Sequence, residues 1–114
     1  MDKRKQLKEQ YKEMRPDMGI IAVKCAASGK TYFRTATNAK AAINSMVFQL
    51  KHGSNFNRDL QKEWNELGES AFEVSVIEQL DYEKDDNGTV DYKAYLQMML
   101  EEWLNKTENS KEII

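Results

Sequence analysis

Apolar positions along the chain alternate between helical and strand periodicity. Leu7, Tyr11 and Met14 recur at helical spacing over residues 2–14. Asp2 is placed to cap that helix, and Pro16 ends it, because proline disfavours helix in the residue before it. β-Branched Ile20, Ile21 and Val23 then mark a strand, and Thr31, Tyr32 and Phe33 mark a return strand. Between them, Ala26-Ala27-Ser28-Gly29 reads as a short turn, with Gly29 supplying a positive φ. The stretch Gly19–Thr35 is thus predicted to be a β-hairpin.

Thr37 or Asn38 caps a second helix to about Lys51, with Ala39, Ile43, Met46, Val47 and Leu50 as its buried stripe. His52 and Gly53 end it. Asn55 or Asn57 starts a third helix with Leu60, Trp64 and Leu67 on one face, and Gly68 is its stop. From Phe72 to Leu80 the pattern alternates, with Phe72, Val74 and Val76 inward and Glu73 and Ser75 outward. After a polar loop, Tyr92, Tyr95, Leu96, Met99, Leu100, Trp103 and Leu104 step by three and four through a last helix from Val90 to about Lys106. The expected fold is α+β, a small three-stranded antiparallel sheet flanked by helices. Residues 1–17 form an N-terminal helical extension, 18–106 the domain, and 107–114 a polar tail that frays.

At 114 residues the chain is one domain with one modest core. Its apolar runs are too short for a membrane span, and its charged N-terminus has no apolar leader segment. A single cysteine, Cys25, excludes an internal disulfide and fits a reducing, cytoplasmic location. With one histidine, His52, beside it, zinc is not expected, and His52 is expected to serve the helix end.

The net charge is -2, but its distribution is uneven. Residues 1–62 carry thirteen Lys/Arg against five Asp/Glu, and residues 63–114 carry four against fourteen. A basic half can face phosphate, or simply be solvated or fold against the acidic half. Lys30, Arg34, Lys40 and Lys51, around the hairpin and second helix, are the expected nucleic-acid contacts.

Glu83 to Ala94 resembles an EF-hand calcium loop. Asp85, Asn87, Gly88, Val90 and Asp91 fall on its third, fifth, sixth, eighth and ninth positions. Position one is Glu83, longer than the usual aspartate, and position twelve is Ala94, where a bidentate glutamate is needed. A strand, not a helix, precedes the loop. The favoured reading is a solvated turn with an Asx-type helix start.

The hairpin and the chain downstream of it resemble the GIY-YIG nuclease family, named for Gly-Ile-Tyr on one strand and Tyr-Ile-Gly on the next. Here the triplets stand as Gly19-Ile20-Ile21 and Tyr32-Phe33-Arg34, so Gly19, Ile20 and Tyr32 match. The run from Leu60 to Glu73 is similar to the family's Leu-Gln-x-x-Trp-x-x-x-Gly-x-x-x-Phe-x. The resemblance spans roughly residues 18–106.

That resemblance implies a metal-dependent phosphodiesterase scaffold. Its strand tyrosines shape the site, a helix arginine stabilises charge on phosphate, and a glutamate holds magnesium. On this chain the first tyrosine falls on Ile21 and the second on Tyr32. The arginine position falls on Ala42, and a histidine often seen one turn later falls on Met46. The glutamate normally precedes an aromatic by three residues. With Trp103 as that aromatic, the position holds Leu100, beside Glu101 and Glu102.

The expectation is therefore a GIY-YIG-like domain with impaired or lost cleavage, kept as a nucleic-acid or protein binding module. DNA binding is expected to be weak and non-specific. One alternative is an active Mg-dependent endonuclease with Tyr32, Arg34 and Glu101 as catalytic residues and Glu101 as metal ligand. Another is a structural or protein-interaction module.

Overall fold

The computed structural model describes residues 16–84, 88 and 90–113. The helix expected over residues 2–14 lies outside the described residues, as do Asp85 and Asn87 of the EF-hand-like loop. The elements in order are strand β1 (Met18–Cys25), strand β2 (Thr31–Ala36), helix α1 (Ala39–Lys51), helix α2 (Arg58–Leu67), a 3-10 turn (Glu69–Ala71), strand β3 (Phe72–Leu80), helix α3 (Tyr92–Lys106) and strand β4 (Ser110–Glu112). No helix among the described residues is long and apolar enough to cross a membrane.

The hairpin forms as expected, with β1 and β2 antiparallel and Val23 opposite Tyr32. Gly29 occupies the turn at φ 71°. Helix starts follow the short polar side chains. Asn38 Oδ1 accepts from the Ala41 N–H at 3.1 Å, and Asn57 Oδ1 accepts from the Leu60 N–H at 3.1 Å, each satisfying an N–H that the helix leaves unpaired. Gly68 ends α2 at φ 83°, a region that side chains with a Cβ rarely adopt.

The sheet has four strands in the order β3-β1-β2-β4, not three antiparallel ones. The added strand is the C-terminal segment expected to fray. Ser110–Glu112 pairs parallel to Thr31–Phe33 of β2, and the Ile113 N–H donates to the Phe33 carbonyl at 2.8 Å. Its pattern carries no strand signal because it is an edge strand held by backbone bonds, with Ile113 alone reaching the core at 8% exposure.

Each sheet face buries its own apolar layer. Ile21, Val23 and Tyr32 pack against Met46 and Leu50 of α1 and Leu60 and Trp64 of α2. On the opposite face Ile20, Ala22 and Phe33 pack against Leu100, with Trp103, Met99, Leu104 and Ile77 around them. Central β1 is therefore apolar on both faces, which explains its unbroken Ile-Ile-Ala-Val run.

The alternation expected for β3 breaks at one point. Ile21 pairs with Val76 and Ile20 with Glu78, so Ile77 is an extra residue in a bulge. Beyond it the faces exchange. Glu78, opposite Ile20, shares the α3 face with Ile77, while Val76, before the bulge and expected inward, stays opposite Ile21 and is 42% exposed. Glu78 accepts from Trp103 Nε1 at 2.8 Å. Gly19, the glycine of the motif, lies beside this bulge, and a Cβ there would overlap the Glu78 carbonyl.

A basic cleft at the open edge of the sheet

Strand β4 covers only Thr31–Phe33, so the rest of β2 remains an edge. A cleft of about 550 Å³ opens there. Its floor is Arg34, Thr35, Ala36 and Thr37. One wall is the start of α1, with Asn38, Ala41, Ala42 and Ser45, and the other is the start of α3, with Lys93, Leu96 and Gln97.

Among the described residues the cleft lining contains two cations, several hydroxyl and amide groups, and no carboxylate. Among the described residues neither Arg34 nor Lys93 makes an ion pair, so both charges are free to meet an anion. The N-terminus of α1, capped by the neutral Asn38, adds to the positive potential through the positive end of its dipole, whereas that of α3 is offset by the Asp91 carboxylate. Neither α1 nor α3 has an acidic residue in its first turn. Lysines stand there instead, Lys40 in α1 and Lys93 in α3. A cation at a helix N-terminus costs a few tenths of a kcal/mol against the dipole. Two such placements beside one cleft favour anion binding at the expense of helix stability. Asp91 caps α3 by accepting from the Ala94 N–H at 3.1 Å and is not among the described residues of the lining.

Ala42, at the family's arginine position, does line the cleft. Leu100, placed at the glutamate position by counting back from Trp103, is fully buried in the core against Ile20, Ala22 and Phe33. The helix face turned to the cleft carries Gln97 instead. Glu101 is exposed and outside the lining. Tyr32 shares a face of β2 with Arg34 but is fully buried, and its hydroxyl donates to Glu63 Oε2 at 2.9 Å, on α2. Burial, with the hydrogen bond to the Glu63 carboxylate, raises the Tyr32 hydroxyl well above the ordinary tyrosine pKa. Ile21 and Met46, at the first-tyrosine and histidine positions, are core residues. Tyr32, Arg34 and Glu101 thus do not converge.

Of the expected nucleic-acid contacts, Arg34 is in the cleft and Lys40 stands in the first turn of the neighbouring helix. Lys51 lies at the other end of α1, 3.6 Å from Glu69. Lys30 precedes β2, with its Nζ 5.2 Å from the centre of the Tyr32 ring. Sequence reasoning missed Lys93 and Gln97. Their spacing with Leu96 on the first turns of the last helix is the signal that points to one shared face.

Magnesium prefers hard anionic oxygens and is usually held through one or two carboxylates. The cleft offers amide and hydroxyl oxygens beside two cations, a donor set that does not fit that ion.

The strand order, the hairpin and the helices on both sheet faces define a GIY-YIG nuclease-like fold. The catalytic domain of the homing endonuclease I-TevI superposes on this chain with a TM-score of 0.62 and 26% identity, covering 85% of this chain and 98% of that one. A variant of the same intron endonuclease domain, with one glutamate replaced by alanine, gives a TM-score of 0.63 and 22% identity over 79% and 82% of the two chains. No protein-family model and no curated protein matches the chain.

Proposed function

We propose that this domain binds the sugar-phosphate backbone of nucleic acid, DNA in the first place, and has lost phosphodiester cleavage. One observation carries the reading. Among its described lining residues the cleft beside the motif hairpin joins Arg34, Lys93 and the N-terminal turn of α1, with no carboxylate. A phosphate is matched by such a set without a metal. Cleavage needs more, namely a group that activates water or stabilises the leaving oxygen. Ala42 and Gln97 supply neither, and the Tyr32 hydroxyl is occupied by Glu63. In the alternative of an active endonuclease, Glu101 would be the residue to hold magnesium, although it lies outside the described lining.

Backbone contacts carry no sequence information, so binding is expected to be non-specific and in the range of about 10⁻⁴ to 10⁻⁶ M at physiological salt. The test is a titration of labelled duplex DNA at several salt concentrations. Each lost phosphate contact flattens the plot of log affinity against log salt by about one. Arg34→Ala and Lys93→Ala are each expected to weaken binding and flatten that slope. Binding that is insensitive to both places the contact elsewhere and overturns the reading.

A further inference from the structure

Helix α1 carries an outward stripe that begins in the cleft and ends on exposed aromatic surface. Ala41 and Ser45 line the cleft. At about 100° per residue, Ala41, Ser45, Phe48 and His52 fall within about 60° of one another around the helix axis. Phe48 is 62% exposed, and its ring centre is 4.3 Å from that of His52, with the planes tilted by 43°. An isolated phenylalanine left this open on a helix forfeits burial. Here it is paired with a second ring, one turn beyond a cleft that holds unpaired cations.

The spacing suits a nucleotide chain. Phe48 lies about 4.5 Å along the axis from Ser45, and His52 about 10.5 Å, at 1.5 Å per residue. Neighbouring phosphates of an extended strand are separated by distances of that order, so a phosphate held on the Ser45 side of the cleft brings an adjacent base over Phe48. Lys40, Asn44 and Lys51 run beside the stripe, all exposed. Of these, Lys40 supplies charge for the strand's backbone while the rings face its bases, Lys51 being 3.6 Å from Glu69. A duplex keeps its bases stacked on each other and has none to offer. An unpaired strand does.

We infer that Phe48, backed by His52, is a stacking platform for an unpaired base next to the phosphate cleft, so that the preferred partner is single-stranded nucleic acid. This rests on the backbone-binding reading of the cleft and adds the partner's class to it. Base stacking on an aromatic side chain is sequence-tolerant, because every base has a π face.

The test is a fluorescence-anisotropy titration at one salt concentration with three labelled probes, oligo-dT, oligo-U and a duplex of equal length. Wild type is expected to bind the single strands more tightly than the duplex. Phe48→Ala is expected to weaken single-strand binding by about tenfold and to leave the duplex within about twofold. Phe48→Tyr, which keeps the ring, is expected to retain binding. Equal loss on oligo-dT and oligo-U supports stacking on either chemistry, and loss on one alone assigns the platform to that strand. No loss in Phe48→Ala, or equal loss on duplex and single strands, overturns the platform. A single strand that needs Phe48 but not Arg34 overturns the cleft reading and leaves the platform standing. Self-association in sedimentation that Phe48→Ala removes, with strand binding intact, makes the patch a protein interface and also overturns the inference.

Discussion

The Tyr32 hydroxyl donates to Glu63 Oε2 at 2.9 Å, across the interface between β2 and α2. The tyrosine of the second motif triplet is thereby turned into a packing residue. Its proton is held by burial and by the carboxylate, so its pKa is raised above the ordinary value of 10.0. The unfolded chain releases that proton near pH 10 while the native state keeps it. The resulting stability is fully present below about pH 10 and is lost as the pH rises further. Urea unfolding at pH 9 and pH 11 checks this. Wild type is expected to lose more stability between the two than Tyr32→Phe does. Equal losses would mean that Tyr32 titrates normally.

At neutral pH, Tyr32→Phe removes one hydrogen bond to a charged partner and is expected to cost about 1–2 kcal/mol. Nucleic-acid affinity is expected to stay within about twofold of wild type. A large drop in affinity with an intact fold would return Tyr32 to the binding site.

Gly19→Ala forces a Cβ into the Glu78 carbonyl at the β3 bulge. The contact is with backbone in the middle of the sheet, so no side-chain rotation relieves it. A loss of at least about 2 kcal/mol in denaturant unfolding is expected. A neutral result would show that β1 and β3 can separate there at little cost.

Calcium is expected to leave the melting temperature unchanged. Asp91 is already engaged as the α3 cap, and Ala94 at the twelfth loop position has no oxygen-bearing side chain. Asp91→Ala is expected to cost about 1 kcal/mol through the lost cap, equally with and without calcium. A calcium-dependent rise in wild type would restore the EF-hand reading.

Local signals were the readable part of this chain. Asn38, Asn57 and Gly68 act on backbone groups within a few residues, so the helix ends follow from the sequence up to the choice between Thr37 and Asn38 and between Asn55 and Asn57. Strand β4 was not readable, because Ser110–Glu112 is polar and its partner lies some eighty residues away. Nor was the bulge at Ile77, which depends on the register against β1. The site divides the same way. Ala42, put at the arginine position by a fixed count from the hairpin, does lie on the cleft wall. Leu100 was placed by counting from Trp103, but the packing of α3 on Phe33 and Ile20 buries that position and turns Gln97 to the cleft.

Gln97→Glu is the substitution that probes this geometry. It adds a carboxylate beside Arg34 and Lys93, so DNA binding in EDTA is expected to fall severalfold, and magnesium is expected to restore it by occupying the new ligand. An unchanged affinity in EDTA would place Gln97 away from the bound phosphate.

Incubation of supercoiled plasmid with excess wild-type protein and magnesium tests most directly whether the cleft binds without cutting. The plasmid is expected to remain supercoiled under conditions where a gel shift shows it bound. Nicking that EDTA abolishes, and that Glu101→Ala also abolishes, would contradict the loss of cleavage and make the domain an active endonuclease.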